Sequence, residues 1–473
     1  MMKYYSLITL LIFSINSYSQ NLTKEQAVED LKYLYKSIQN VHPDLYWFKV
    51  KSDADNDFNN LLEKVESGID QEEFYKLTAE FVADFNTSHL NVTLPFLSLG
   101  DFSKSEKLNP LPVEVLFTSK GLFIKERISK NGTINKGDKV LEINGNTIDL
   151  IFSEFQKLDK SVGNFEVWNN YSKFFMEYYR IQFGDTSKFY FKYVDFETKD
   201  ILSETLNAIS TNTWGKFFMQ NFPKEKFHFD FYKEQKIGVI KILTFANLNG
   251  FDTFLQRTFQ KIEEFKLEHL IIDIRDNEGG STIYVDELLN YCTTKKYKYD
   301  DYYIGKVSQE KKEDINRHME NCTEEERAEL LSMYKLNWVF DNEIGDTVLF
   351  SGDDVVHVPV DKENKFNGKL YLLINERVGS TSQLFTQAFK CSNLGLIIGQ
   401  ETGEATIFFG DGPSLKLPNS NLQLNMPSKK FISPCQQSRI EGIKPDYEVD
   451  YNPSKLLIGV DEVLDFTFNL ITK

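Results

Sequence analysis

Leu370-Tyr-Leu-Leu-Ile374 is an unbroken apolar run of strand length, and Leu384, Phe385, Ala388 and Phe389 then recur at the spacing of a helix face. Between them stand Gly379 and Ser380, where a tight turn would deliver a serine to the start of a helix. His269-Leu-Ile-Ile-Asp-Ile274 follows the same plan, with a strand-like run, a Gly279-Gly280 break and a predicted helix from Ile283 to Tyr291. A further strand over Lys236 to Leu243 completes an alternation that predicts an α/β core for residues 225–473. Inside it, Glu310 to Leu336 is charged and helix-patterned, which marks an inserted helical segment at about 305–340.

The N-terminal part reads differently. Thr23 to Gln26 has capping form, with Ala27, Leu31, Leu34 and Ile38 on one face behind it. Asp70-Gln-Glu-Glu73 opens a second apolar stripe through Phe74, Leu77, Phe81, Val82 and Phe85, ending near Asn86. Residues 20–100 are therefore predicted to be helical. Residues 105–205 alternate short strands with turns at Asn131-Gly132, Lys136-Gly137 and Asn144-Gly145, apart from a helical insert around Phe165 to Tyr179. Ahead of all this, Lys3, the apolar stretch Leu7 to Ile15 and the small residues Ser17-Tyr-Ser19 form an expected secretory signal over 1–19. That apolar stretch is too short to span a membrane, and no later one is long enough. The expected mature protein is exported, periplasmic or secreted from a bacterium.

Charge and composition narrow the partners. A net charge of −16 over 473 residues argues against nucleic acid, whose binding needs clustered Lys and Arg. The 40 Phe and 23 Tyr are read as core and groove packing. Cys292, Cys322, Cys391 and Cys435 leave three full disulfide pairings open, beside the alternative of free thiols. Cysteine and histidine show no metal-ligand spacing, so neither metal nor cofactor is expected.

The candidate chemistry lies in three places. Ser380 is either a helix N-cap or a nucleophile held where free helix N–H groups can stabilise negative charge. Gly279-Gly280 can turn backbone N–H groups towards an anion, or can be plain loop geometry. His89 follows a predicted helix end, a place that suits a base which must carry a proton, whereas His42, His228, His269, His318 and His357 are explained by local structure.

In their order these segments resemble the tail-specific (C-terminal processing) peptidases and the tricorn core protease, a family of serine peptidases. Asp30 to Tyr46 is similar to the family's N-terminal helical segment, and Phe85-Asn-Thr-Ser-His89 to its histidine motif. Ile134-Asn-Lys-Gly-Asp-Lys-Val-Leu-Glu-Ile-Asn-Gly145 resembles the signature of a PDZ domain. Ile271 to Gly280 resembles the strand with its Asn-x-Gly-Gly turn, and Val378-Gly-Ser-Thr-Ser-Gln383 the nucleophile motif. Ile398-Gly-Gln-Glu-Thr-Gly403, Leu417-Pro-Asn-Ser420 and Gly442-Ile-Lys-Pro-Asp446 resemble the segments that follow. The resemblance implies a multidomain α/β fold: an N-terminal helical segment, a PDZ-like β-rich domain and a crotonase-like peptidase core.

It also implies acyl transfer by Ser380 as nucleophile with His89 as base. Ser88 and Glu441 are the expected orienting residues, and the N–H groups of Gly279, Gly280 and Thr381 the expected oxyanion hole. One branch of the family uses a lysine about two dozen residues after the serine, but Gly399-Gln-Glu-Thr-Gly-Glu-Ala-Thr406 contains none. A Ser-Lys dyad is therefore not expected. The implied substrate is a peptide or an unfolded protein. The alternatives are a non-catalytic peptide- or ligand-binding protein on the same scaffold and a hydrolase of another ester or amide.

Overall fold

The computed structural model of the chain describes residues 21–93, 109–160, 165–221 and 225–473. The expected signal segment lies outside the described residues.

The C-terminal half is built on a six-stranded sheet whose strands follow one another in chain order: Phe227–Tyr232, Ile237–Ile242, His269–Asp273, Lys369–Ile374, Leu396–Gly399 and Tyr447–Glu448. The first pair is antiparallel and the rest are parallel. The middle strands are apolar on both faces because both faces are covered. On one side pack the helices Phe251–Glu264, Thr282–Cys292 and Thr381–Cys391, and on the other the C-terminal helix Glu462–Thr472. His269–Asp273 and Lys369–Ile374 are adjacent and in register, with Asp273 opposite Leu373. Their two Gly-containing turns therefore leave the same C-terminal sheet edge side by side, where open α/β sheets place their sites.

A second sheet, antiparallel, orders Thr347–Ser351, Tyr302–Lys306, Lys429–Ile432 and Ile407–Gly410. Beside it the insertion folds as the helices Gln309–His318 and Glu324–Met333, with a small core around Ile315, Met319, Trp338 and Val339.

The helices Lys24–Val41, Lys51–Lys64 and Gln71–Ala83 share one apolar core with an antiparallel sheet. That sheet runs Val113–Thr118, Gly121–Arg127, Lys139–Ile143, Lys188–Val194 and Ile201–Asn207. The capping signals act as read: Thr23 and Gln26 form a reciprocal box, and Asp70 caps the N–H of Glu73. The third helix ends at Ala83, and Asn86 takes the left-handed conformation at φ 53° just beyond. Two ties bind this part to the C-terminal half. Buried Asp30 accepts hydrogen bonds from the N–H groups of Asn419 (2.9 Å) and Ser420 (2.8 Å). Strand Asn91–Thr93, two residues after His89, pairs antiparallel with Gln423–Asn425. Those pairings fix His89 against segments more than 300 residues away in sequence.

Of the open cysteine pairings, Cys391–Cys435 is formed, while Cys292 and Cys322 are free thiols.

Candidate active site

Ser380 occupies the N-cap position of helix Thr381–Cys391, yet its side chain makes no capping hydrogen bond. Its backbone stands at φ 52°, ψ −127°, a conformation that costs a non-glycine residue on the order of 1–3 kcal/mol. Because the side chain caps nothing, the N-cap explanation of this serine does not hold. The neighbouring turn crowds it. A Cβ on Gly279, at φ +99°, would lie 2.7 Å from the Thr381 nitrogen and 2.8 Å from the Ser380 Cβ, so only glycine fits.

His89 comes to the same place from the other half of the chain, itself at φ 59°. Its Nδ1 lies 3.3 Å from Glu166 Oε1, and its backbone N–H donates to both Glu166 oxygens at 3.1 and 3.0 Å. Its Nε2 is buried without a hydrogen-bond partner and lies 3.9 Å from Glu404 Oε2. That same oxygen accepts the Ser380 N–H at 2.5 Å. Ser380 and His89 thus meet around one buried carboxyl, and no direct hydrogen bond joins hydroxyl and ring among the described residues. Burial pushes the Glu404 carboxyl up to about 7; the nearby Glu166 adds to the rise, while His89, the Ser380 N–H and the Ser88 hydroxyl oppose it.

Three of the sequence expectations change at this point. Ser88 does not orient the imidazole: its Oγ donates to the Phe409 carbonyl (3.1 Å) and accepts the Phe409 N–H (3.4 Å). Glu441 does not reach the ring, because its half-exposed side chain turns outward to Lys444 at 3.0 Å. Gly279 cannot offer its N–H to an oxyanion, since it is committed to Asn277 Oδ1 at 2.9 Å. Gly280 and Thr381 remain. Thr381 sits in the first helical turn, whose N–H groups lack intrahelical acceptors, and its hydroxyl donates to the Gly280 carbonyl at 2.6 Å. Of the other five histidines, His42, His228 and His318 are engaged by near neighbours in sequence, while His269 pairs with Tyr371 and His357 with Asp286.

Sequence reasoning missed Glu166 and Glu404. Glu404 stands inside the segment Gly399 to Thr406 that contains no lysine, and its one signal was a lone acid between Gly403 and Ala405. Glu166 lay in the helical insert with aromatic residues on both sides, Phe165 and Trp168. From Ser380 an open cleft of about 560 Å³ extends past Gly280, Thr282, Leu384, Phe408 and Phe431 towards the inserted helices. Its wall is mixed, apolar and polar, and Ser380 and Thr381 stand in it.

Residues 236–449 match the sequence profile of peptidase family S41. Over 110 residues, 23% of this chain, the sequence is 29% identical to the tricorn protease of Thermoplasma acidophilum and 27% identical to that of Thermoplasma volcanium. The match spans about a tenth of the length of those curated relatives (10% in each). The crystal structure of mature CPAF superposes with a TM-score of 0.65 at 14% identity, covering 95% of this chain and 97% of that one. Mature CPAF complexed with lactacystin gives the same TM-score over 98% of its length. At such identity the likeness is one of fold.

Proposed function

We propose that this chain, whose residues 236–449 form a peptidase family S41 domain, is an exported serine endopeptidase acting on peptides or unfolded proteins. Ser380 Oγ attacks the scissile carbonyl while His89 Nε2 takes its proton and later delivers it to the leaving amine. The N–H groups of Gly280 and Thr381 receive the developing oxyanion. The observation that carries the reading is the strained Ser380 turn, whose hydroxyl is spent on no cap. For the hydroxyl to donate to Nε2, which has no hydrogen-bond partner, the two groups must approach each other.

Export is supported by the Cys391–Cys435 disulfide, which suits an oxidising compartment. No helix among the described residues is long and apolar enough to cross a membrane. The antiparallel sheet over 113–207, with the PDZ-like signature of Ile134 to Gly145 in it, would handle peptide by strand addition.

A non-catalytic peptide-binding protein is the second reading, favoured by the missing Ser380–His89 hydrogen bond. Casein cleavage by wild type, Ser380→Ala and His89→Ala separates the two. The proposal expects turnover in wild type and its loss in both variants. Peptide binding without turnover, unchanged by Ser380→Ala, would establish the second reading instead.

A further inference from the structure

We infer that Glu166 is the residue that orients His89, an inference that rests on the proposed role of His89 as base. The contact is double. One carboxylate accepts the backbone N–H of His89 with both oxygens (3.1 and 3.0 Å) and faces ring Nδ1 at 3.3 Å. A carboxylate there calls for a donor, so it favours the tautomer protonated on Nδ1 and leaves the Nε2 lone pair for the serine proton. The Glu166 side chain is only 12% exposed, so water screens the interaction little. The backbone contact fixes the position of the strained His89 turn as well as the direction of its ring.

The helix that carries Glu166, Phe165–Lys173, is itself clasped to the catalytic loops. Phe165 N–H donates to the Gly403 carbonyl at 3.1 Å, one residue before Glu404. The Phe165 ring fills the space a side chain at Gly379 would need, with a Cβ there only 2.2 Å away, and it lies 5.7 Å from the His89 ring. Asn169 Nδ2 donates to the Arg377 carbonyl (3.1 Å), while Arg377 Nη1 returns to the Trp168 carbonyl (3.2 Å) and Ser172 Oγ (3.1 Å). A single helix from the N-terminal half therefore sets the histidine and braces the residues that lead into Ser380 and into Glu404.

The rival acids are placed otherwise. Glu404 faces the opposite ring nitrogen and holds the Ser380 N–H, and Glu441 pairs with Lys444. Glu166 and Glu404 are the carboxylates whose oxygens lie within 4 Å of the His89 ring nitrogens among the described residues.

The test uses the full chain with Glu166→Gln, Glu166→Ala and Glu166→Asp. It measures kcat and KM on a fluorogenic peptide, nitrogen chemical shifts of the His89 ring in histidine-labelled protein, and thermal unfolding. Expected is a roughly ten-thousand-fold fall in kcat for Glu166→Gln and Glu166→Ala with KM nearly unchanged, the scale seen when a histidine loses its orienting acid. Partial recovery is expected in Glu166→Asp, and a ring that is Nδ1-protonated in wild type but mixed in Glu166→Ala. A folded Glu166→Ala protein within about threefold of wild-type kcat, or one with an unchanged ring tautomer, would overturn the assignment. If wild type shows no Ser380-dependent turnover, the peptidase reading fails, and the ring tautomer alone then decides whether Glu166 positions His89.

Discussion

Replacing Glu404 by glutamine probes the carboxyl on which Ser380 and His89 converge. The carboxyl is fully buried, and its raised pKa of about 7, against an ordinary 4.5, means that the folded protein holds this proton more tightly than the unfolded chain does. Its contribution to stability is therefore complete below the unfolded value. It is lost progressively as pH rises through the window from 4.5 to about 7, and is constant above. At about 1.36 kcal/mol per pH unit, ionising it costs the fold roughly 3 kcal/mol by pH 8. Glutamine keeps an oxygen for the Ser380 N–H but carries no charge, so it removes this dependence. Its amide nitrogen would sit where Glu404 Oε1 already lacks a partner, which costs about 1–3 kcal/mol at every pH. Wild type and Glu404→Gln should be compared by chemical denaturation from about pH 4 to about pH 8. The stability of wild type relative to the variant should fall by roughly 3 kcal/mol across that range. Burial also raises Glu177 to about 7, but that carboxyl is common to both proteins and drops out of the difference. A difference that stays flat with pH would refute the reasoning, because the carboxyl would then titrate alike in the folded and unfolded chains.

Other substitutions test neighbouring parts of the account. Gly279→Ala should abolish turnover while leaving a folded protein, since its Cβ would press on Thr381 and Ser380; unchanged kcat/KM would contradict the packing of the two turns. Arg275 binds buried Asp273 (2.7 Å) and Asp461 (2.6 Å), tying the C-terminal helix to the sheet. Arg275→Met should cost about 3–5 kcal/mol in thermal or denaturant unfolding, because two carboxylates lose their partner. Replacing Cys391 and Cys435 with serine opens a loop of sequence separation 44, which on a chain-entropy basis is worth up to about 4 kcal/mol; a melt unaffected by reductant would show that the bond is absent in solution.

The chain disclosed most of the C-terminal half through local pattern. Two apolar runs ending in glycine gave two strands and two turns, and because the strands are parallel neighbours, the turns fall together. Ser380 could be read from one short segment, since strand, glycine, serine and helix follow within it. His89 needed the strand after it to pair with Gln423–Asn425, a contact no local spacing encodes. The acids were harder still. Glu441 sat beside a recognisable motif but is exposed and paired with Lys444, and sequence offset says nothing of the direction in which a loop carboxylate turns. Glu166 and Glu404 gain their meaning from burial against a ring 77 and 315 positions away, which the fold alone creates.

The most direct test of the central claim is the intact mass of the full chain after reaction with a fluorophosphonate, followed by mapping of the modified residue. A single adduct on Ser380, absent in Ser380→Ala and strongly slowed in His89→Ala, is the predicted result. An unmodified wild-type protein, or an adduct carried by Ser382, would contradict it.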